Sequence, residues 1–170
     1  MEVNQEEHTV VLSSGEVLSY RYLIGADGAN SQIRKLVDSK YKPNALCLEF
    51  DYSTYPIEDE IQVFFSVINS GYGWCFPKKD KYAIGIGSDV KNSKIIRTKL
   101  QKFCNDIGKG FNEQKISGAM IPFGKFVKKP VSENILLIGD AAGFVDPVTG
   151  EGLYLLFFLQ NAHLIHSSLR

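Results

Sequence analysis

Residues 135–153 are the most informative segment of this 170-residue chain and read Ile-Leu-Leu-Ile-Gly-Asp-Ala-Ala-Gly-Phe-Val-Asp-Pro-Val-Thr-Gly-Glu-Gly-Leu. Its apolar beginning is typical of a short buried strand. Gly139 and Asp140 end that strand, and an apolar run from Leu153 predicts a helix. The carboxylate of an Asp at the end of a strand, such as Asp140, can accept hydrogen bonds from sugar-like hydroxyls. The N-terminus of the following helix offers unpaired N–H groups. The pattern therefore predicts a ligand site, although it also fits an ordinary strand-to-helix connection.

Residues 25–34, Gly-Ala-Asp-Gly-Ala-Asn-Ser-Gln-Ile-Arg, repeat this arrangement. A predicted strand ends in Asp27 and Gly28, and a short helix follows. Asp27 either contacts a ligand or caps the turn that shapes the site. Arg34 either meets a phosphate or pairs with a carboxylate. The sequence leaves both questions open.

The two motifs resemble those of FAD-dependent oxidoreductases of the hydroxylase type. The version Asp-Pro-x-Thr-Gly-Glu-Gly at 146–152 is most similar to the geranylgeranyl reductase family. The resemblance implies that Asp140 binds the ribityl chain of FAD, and that Gly152 and Leu153 supply backbone at the isoalloxazine ring. The residues implied for cofactor binding are Asp27, Gly28, Gly139, Asp140, Gly150, Gly152 and Leu153.

Alternating apolar and polar residues between the two motifs predict an antiparallel sheet. A sheet inserted there would cover the cofactor and form a ligand pocket on its inner face. Helices are expected from Asn30 or Ser31 to Val37 and from Asn92 or Ser93 to about Ile107, where Gly108 and Gly110 stop the second. The predicted strands are 9–12, 17–20, 22–26, 46–52, 61–68, 72–76, 82–87, 114–121 and 135–138.

One predicted strand carries three aromatic residues on a single face. Tyr72, Trp74 and Phe76 alternate along it, in a segment similar to the Y-x-W-x-F-P segment of the geranylgeranyl reductase family. They are expected to form a wall that binds a long hydrocarbon substrate, or else a plain core stripe. Cys75 points to the other face and is expected to be a buried, inert thiol. Gly-Ile-Gly at 85–87 lacks the third glycine of a dinucleotide fingerprint.

The formal net charge of zero hides a basic block in the middle of the chain. Residues 61–135 carry thirteen basic and five acidic side chains. A solvated lysine-rich face explains the block, and so does attraction to anionic lipid headgroups. Nucleic acid is not an expected partner, because aromatic residues do not interleave with the charges as in known binding motifs.

Cysteine and histidine usage predicts neither disulfides nor a metal site. The three cysteines are odd in number and widely spaced, and a reducing, cytoplasmic compartment fits them best. His163 and His166 lie one helical turn apart but have no further ligands nearby, so surface histidines are expected. We find no secretory signal and no apolar run long enough to span a bilayer.

These observations predict a mixed α+β or α/β chain, a partial FAD-binding domain with an inserted antiparallel sheet. The predicted parts are 1–42 in the FAD-binding domain, 43–130 as the inserted substrate-binding region, and 131–170 returning to the FAD-binding domain. Members of the family begin with a βαβ unit carrying G-x-G-x-x-G, which this sequence lacks, and it also lacks their C-terminal region. We therefore expect either a fragment or a degenerate protein, with weak or absent FAD binding by this chain alone.

The leading functional hypothesis is reduction of isoprenoid double bonds in lipids by hydride from reduced FAD. The external electron donor would be NAD(P)H or a ferredoxin-like protein, and the sequence identifies no catalytic residue. Cytoplasmic location with peripheral membrane contact is expected. A flavin monooxygenase or halogenase is the alternative, because it shares both Asp motifs. A non-catalytic lipid-binding or interaction remnant is the third hypothesis.

Overall fold

A computed structural model describes residues 1–54, 57–111, 115–146, 150 and 152. The chain divides into a first unit, Met1–Lys42 with Gly124–Arg170, and a second unit, Pro43–Phe123. The second boundary predicted from the sequence, after residue 130, differs from this division. Val127 is the reason: it is buried in the core of the first unit, and its backbone N–H donates to the Ala142 carbonyl at 2.9 Å.

The first unit contains a small antiparallel meander. The predicted hairpin is present, as β2 (Thr9–Val11) and β3 (Val17–Ser19). Its turn places Gly15 at φ +86°, a conformation that favours glycine. A third strand, β1 (Glu2–Asn4), pairs with β2 and was not predicted, because its polar sequence shows no strand pattern.

A second sheet of the first unit joins the two sequence motifs. It consists of β4 (Leu23–Gly25), β10 (Val131–Ser132) and β11 (Ile135–Leu137), in the order β10-β11-β4. β11 runs antiparallel to β10 and parallel to β4. The helix expected up to Val37 is shorter than predicted, since regular helix covers only α1 (Arg34–Val37).

The second unit is built on a five-stranded antiparallel sheet. Its strands are β5 (Ala45–Tyr52), β6 (Gln62–Phe65), β7 (Gly71–Pro77), β8 (Tyr82–Asp89) and β9 (Ser117–Ile121). They lie in the order β6-β7-β8-β5-β9, so that three consecutive strands form the predicted meander and β5 lies between β8 and β9. The strand expected to reach residue 68 ends at Phe65, because Ser66 turns to φ +67°.

The long helix of the second unit packs against this sheet. Helix α2 (Ile96–Asp106) buries Leu100 and Phe103 in the sheet's core, as its spacing predicted. It begins later than expected, because the Asp89 side chain instead caps a 3-10 turn at Val90–Asn92. It ends where predicted, with Gly108 at φ +66°.

The helix expected from about residue 151, with the two histidines and Leu153, lies outside the described residues. No helix in the described part of the chain is long and apolar enough to cross a bilayer.

Candidate functional site

The parallel pairing of β4 with β11 brings the two sequence motifs to one edge of a sheet. Gly25 is the register partner of Leu137, and its carbonyl accepts a hydrogen bond from the Ile138 N–H at 3.0 Å. Asp27 and Asp140 follow directly after these paired ends. In open sheets with parallel strands, ligands bind outside the carboxyl ends of the strands. This edge is therefore the candidate site of the first unit.

Asp27 organises the turn that follows β4. Its carboxylate accepts hydrogen bonds from the Ser31 hydroxyl at 2.5 Å and from the Gln32 and Ile33 N–H groups at 2.6 and 3.3 Å. The Ser31 hydroxyl oxygen in turn accepts from the Arg34 N–H at 2.8 Å. Burial alone would raise the pKa of Asp27, but these hydrogen bonds outweigh it and hold the pKa below its usual value. The geometry favours the capping interpretation, and direct cofactor contact by Asp27 stays a prediction.

Arg34 links the two motifs through backbone carbonyls. The side chain is 3% exposed, and its guanidinium donates to the carbonyls of Ala29, Asp140 and Ala141. It also lies over the ring of Tyr41, with 4.4 Å between guanidinium carbon and ring centroid. Both sequence-based options for Arg34, a phosphate and a carboxylate partner, missed this role. The bonded carbonyls lie up to 107 positions away, and sequence carries no signal for them.

Asp140 is partly buried on a 3-10 turn (Gly139–Ala142) that begins directly after the strand. Burial raises the pKa of its carboxyl group, and the nearby Arg34 guanidinium only partly offsets this effect. Among the described residues, no donor is hydrogen-bonded to the Asp140 carboxylate. Within the described part of the chain, its acceptor oxygens therefore differ from those of Asp27, which accept three hydrogen bonds.

Glycines of the predicted set leave the site edge open. Gly28 and Gly139 have φ of +76° and +54°, and a Cβ at either position would meet no atom within 4 Å. Gly152 lies beside the carboxylate, since a Cβ there would be 3.5 Å from Asp140 Oδ1. The Gly150 N–H donates to the Asp146 carbonyl at 3.0 Å. The structure thus gathers Gly28, Gly139, Asp140 and Gly152 in the first unit.

The second unit carries the predicted aromatic face. Along β7 the ring centroids of Tyr72 and Trp74 lie 5.9 Å apart, and those of Trp74 and Phe76 lie 6.1 Å apart. The neighbouring strand extends the face, because Val63 is the register partner of Trp74 and Phe65 that of Tyr72. Phe65 is 72% exposed. We call these five side chains the aromatic wall.

The opposite face of the sheet holds the ordinary core. Cys75 is 1% exposed there, so the prediction of a buried thiol is confirmed, and burial raises the pKa of that thiol. The cysteines are free, and the described residues contain no cluster of ligands that could hold a metal ion.

Several curated proteins similar to this chain are named digeranylgeranylglycerophospholipid reductases. The chain is 33% identical over 144 residues to digeranylgeranylglycerophospholipid reductase 2 of Methanosphaera stadtmanae, covering 78% of this chain and 37% of that protein. It is 30% identical over 153 residues to digeranylgeranylglycerophospholipid reductase of Methanocaldococcus jannaschii, covering 82% and 39%. The chain thus spans about two fifths of the length of these relatives. No model of a protein family matches it.

Solved structures show the same fold. A geranylgeranyl bacteriochlorophyll reductase-like protein of Thermoplasma acidophilum matches with a TM-score of 0.65 at 24% identity, covering 82% of this chain and 39% of that one. PqsL, a probable FAD-dependent monooxygenase of Pseudomonas aeruginosa, matches with a TM-score of 0.61 at 20% identity, covering 91% and 48%. The predicted hydroxylase-type flavoprotein fold, with its inserted sheet, is therefore confirmed.

Proposed function

Since this chain belongs to the geranylgeranyl reductase family of FAD-dependent oxidoreductases, we propose that it forms part of a reductase that saturates isoprenoid double bonds of lipids. The observation that carries the proposal is the parallel pairing of β4 with β11. This pairing sets the Asp140 carboxylate and two open glycines at one sheet edge. The chain spans about two fifths of the length of its relatives, as expected for a fragment of a longer enzyme.

The residues at this edge fit FAD. The Asp140 carboxylate would accept hydrogen bonds from ribityl hydroxyls, and charge-assisted bonds of this kind are the stronger ones. Gly28 and Gly139 leave room for close approach, because no atom lies where their Cβ would be. Asp27 would hold the turn in shape through its hydrogen bonds to Ser31, Gln32 and Ile33. The contacts of Gly150, Gly152 and Leu153 with the flavin stay predictions.

When bound, FAD would supply the hydride that, with a proton, saturates the double bond. The electrons would come from an external donor, NAD(P)H or a ferredoxin-like protein. This chain's own part is to bind and orient. The arrangement of the described residues does not by itself assign a proton donor.

The aromatic wall would bind the hydrocarbon of the substrate. Its two strands present apolar side chains to solvent, with Val63 44% and Phe65 72% exposed. Contiguous exposed apolar surface marks a binding site more often than chance, and aromatic rings offer a wide contact area. The proposed substrate class is therefore a lipid with isoprenoid chains, like those in the names of the relatives.

Two other functions remain as alternatives. Monooxygenase and halogenase structures share the fold at low identity, which supports the fold alone. A non-catalytic lipid-binding module would use the aromatic wall without flavin. An assay with chemically reduced FAD and a geranylgeranyl lipid tests the reductase proposal in a protein of the relatives' full length that carries this chain. Product two mass units heavier per saturated bond supports the proposal, and no product overturns it.

Asp140→Asn is predicted to weaken FAD binding while stabilising the fold at neutral pH. Replacing charge-assisted hydrogen bonds by neutral ones costs about 1.4 kcal/mol, or roughly tenfold in affinity. Because the folded-state pKa of Asp140 is raised, the ionised carboxylate destabilises the fold, and this cost disappears as pH falls below its unfolded value of 3.8. Urea unfolding should therefore show the variant more stable at pH 7, with the difference shrinking toward pH 4.

Equilibrium dialysis with FAD completes this test. Asp27→Asn is the matched control, because its hydrogen bonds hold the pKa low and their loss should destabilise the fold at pH 7. Equal FAD affinity of wild type and Asp140→Asn would contradict the assignment of Asp140.

We also propose contact with anionic membranes through the basic surface around α2. Residues 89–106 carry five basic and two acidic side chains, Lys102 pairs with Asp106 at 2.7 Å, and Val90 and Ile95 are 39% and 46% exposed. Each basic group near an anionic surface contributes about 1 kcal/mol. Sedimentation with anionic vesicles no greater than with neutral vesicles would count against this contact. The free cysteines support a reducing, cytoplasmic location.

A further inference from the structure

Trp74 is the chain's single tryptophan, and its indole lies flat across a neighbouring strand. A Cβ at Gly85 would come within 2.2 Å of Trp74 Cζ2, and one at Gly87 within 3.4 Å of Trp74 Cζ3. Any side chain at position 85 would occupy the space of the Trp74 ring, so this position requires glycine. Gly85 and Gly87, which we call the glycine floor, thus make space for the indole.

The indole crosses this floor to reach a carboxylate on the next strand. Trp74 is the register partner of Gly85, and Gly85 that of Glu49. Trp74 Nε1 donates to Glu49 Oε2 at 2.8 Å. The tryptophan is only 8% exposed, and a buried indole N–H without an acceptor is costly. Glu49 therefore satisfies the one polar group of the ring and fixes its direction.

Charged neighbours hold Glu49 in turn. Lys78 Nζ lies 3.9 Å from Glu49 Oε1 and 3.1 Å from Asp51 Oδ1, and Lys81 Nζ lies 2.8 Å from Asp51 Oδ2. Exposed ion pairs contribute little to stability. Their effect here is on orientation, because they restrict the Glu49 side chain on its outer side. The charged row borders the aromatic wall along β5.

We propose that Glu49 is a positioning residue of the aromatic wall, which keeps the Trp74 indole flat on the glycine floor so that the ring supports the more exposed side chains of the wall, Val63 and Phe65, which meet the hydrocarbon. The part that concerns hydrocarbon rests on the proposed function. Without this acceptor the indole has no partner across β8 and turns toward solvent. The ring then stands in the path of a bound chain.

Fluorescence of the single tryptophan tests the position of the ring directly. Three variants of the full 170-residue chain suffice: Glu49→Leu removes the acceptor, Glu49→Gln keeps one, and Asp51→Asn breaks the ionic row without touching the indole. Glu49→Leu is expected to raise the acrylamide quenching constant about threefold and to lower the anisotropy. Glu49→Gln should restore most of the wild-type values, and Asp51→Asn should remain close to wild type.

Titration with geranylgeraniol, monitored by the fluorescence of Trp74, tests whether the position of the indole affects hydrocarbon binding. Glu49→Leu should bind this probe about fivefold more weakly than wild type, and Glu49→Gln close to wild type. Quenching and anisotropy unchanged in Glu49→Leu would overturn the positioning role. A freed indole together with no geranylgeraniol binding by the wild type would support the positioning role and contradict the hydrocarbon site.

Discussion

Replacing Arg34 with methionine is expected to lower the free energy of unfolding of the first unit by roughly 3 to 5 kcal/mol. The change leaves the carbonyls of Ala29, Asp140 and Ala141 without their shared donor. It also removes the cation above the Tyr41 ring, a contact worth about 1 kcal/mol or more when desolvated. Methionine fills a similar volume, so the loss reports on hydrogen bonds rather than on a cavity.

Urea unfolding combined with amide hydrogen exchange measures this loss. The informative amide is that of Ile138, which bonds to the Gly25 carbonyl between the two motif strands. Lys35→Met is the control, since this neighbouring side chain is exposed and, within the part of the chain that the structure describes, donates to Gln32 Oε1 at 2.8 Å. Arg34→Lys should retain less than half of the free energy of unfolding that Arg34→Met loses, because an ammonium cannot reproduce the planar set of donors of a guanidinium. Equal stability of Arg34→Met and Lys35→Met would contradict the linking role of Arg34.

Gly143→Ala is expected to lower the free energy of unfolding by about 3 kcal/mol. Gly143 ends the 3-10 turn that carries Asp140, and its φ of +75° already disfavours any other residue. An added Cβ would lie 2.2 Å from the Lys125 carbonyl oxygen and 2.6 Å from the Tyr41 hydroxyl. Backbone must therefore move. Because the Tyr41 hydroxyl donates to that same carbonyl, the shift breaks a hydrogen bond as well.

Gly15→Ala separates the cost of the positive φ angle from the cost of the close contacts at Gly143. Gly15 has a φ of +86°, and a Cβ there would meet no atom within 4 Å, so its substitution costs about 1 kcal/mol for the dihedral angle alone. Chemical denaturation of both variants gives the difference. Equal losses in the two variants would show that the close packing around Gly143 contributes nothing.

The sequence was sufficient for the local patterns of the fold. Alternation predicted β5, β7 and β8, and the aromatic spacing predicted that Tyr72, Trp74 and Phe76 share a face. The apolar runs before each Asp motif predicted β4 and β11. These features depend on residues close together in the chain, where periodicity and turn residues carry the signal.

The long-range polar contacts could not be predicted. The Glu49 partner of Trp74 lies on a strand that pairs out of sequence order, and strand order is not encoded in periodicity. The carbonyls bound by Arg34 are backbone groups, which look alike at every position. The glycine spacing at 85–87 could exclude a dinucleotide fingerprint, but its use as a floor for the indole appears only once the register is known.

We propose that a flavin ribityl chain binds at the carboxyl ends of β4 and β11. Amide chemical-shift mapping of the whole chain with FMN and with AMP tests this binding, because FMN carries the ribityl chain and AMP only the adenosine part. We expect FMN to shift the amides of Ser31, Gln32, Gly139 and Ala141, and AMP to shift none of them. FMN that leaves these amides unmoved, or that shifts them no more than AMP does, would overturn the proposed ribityl site.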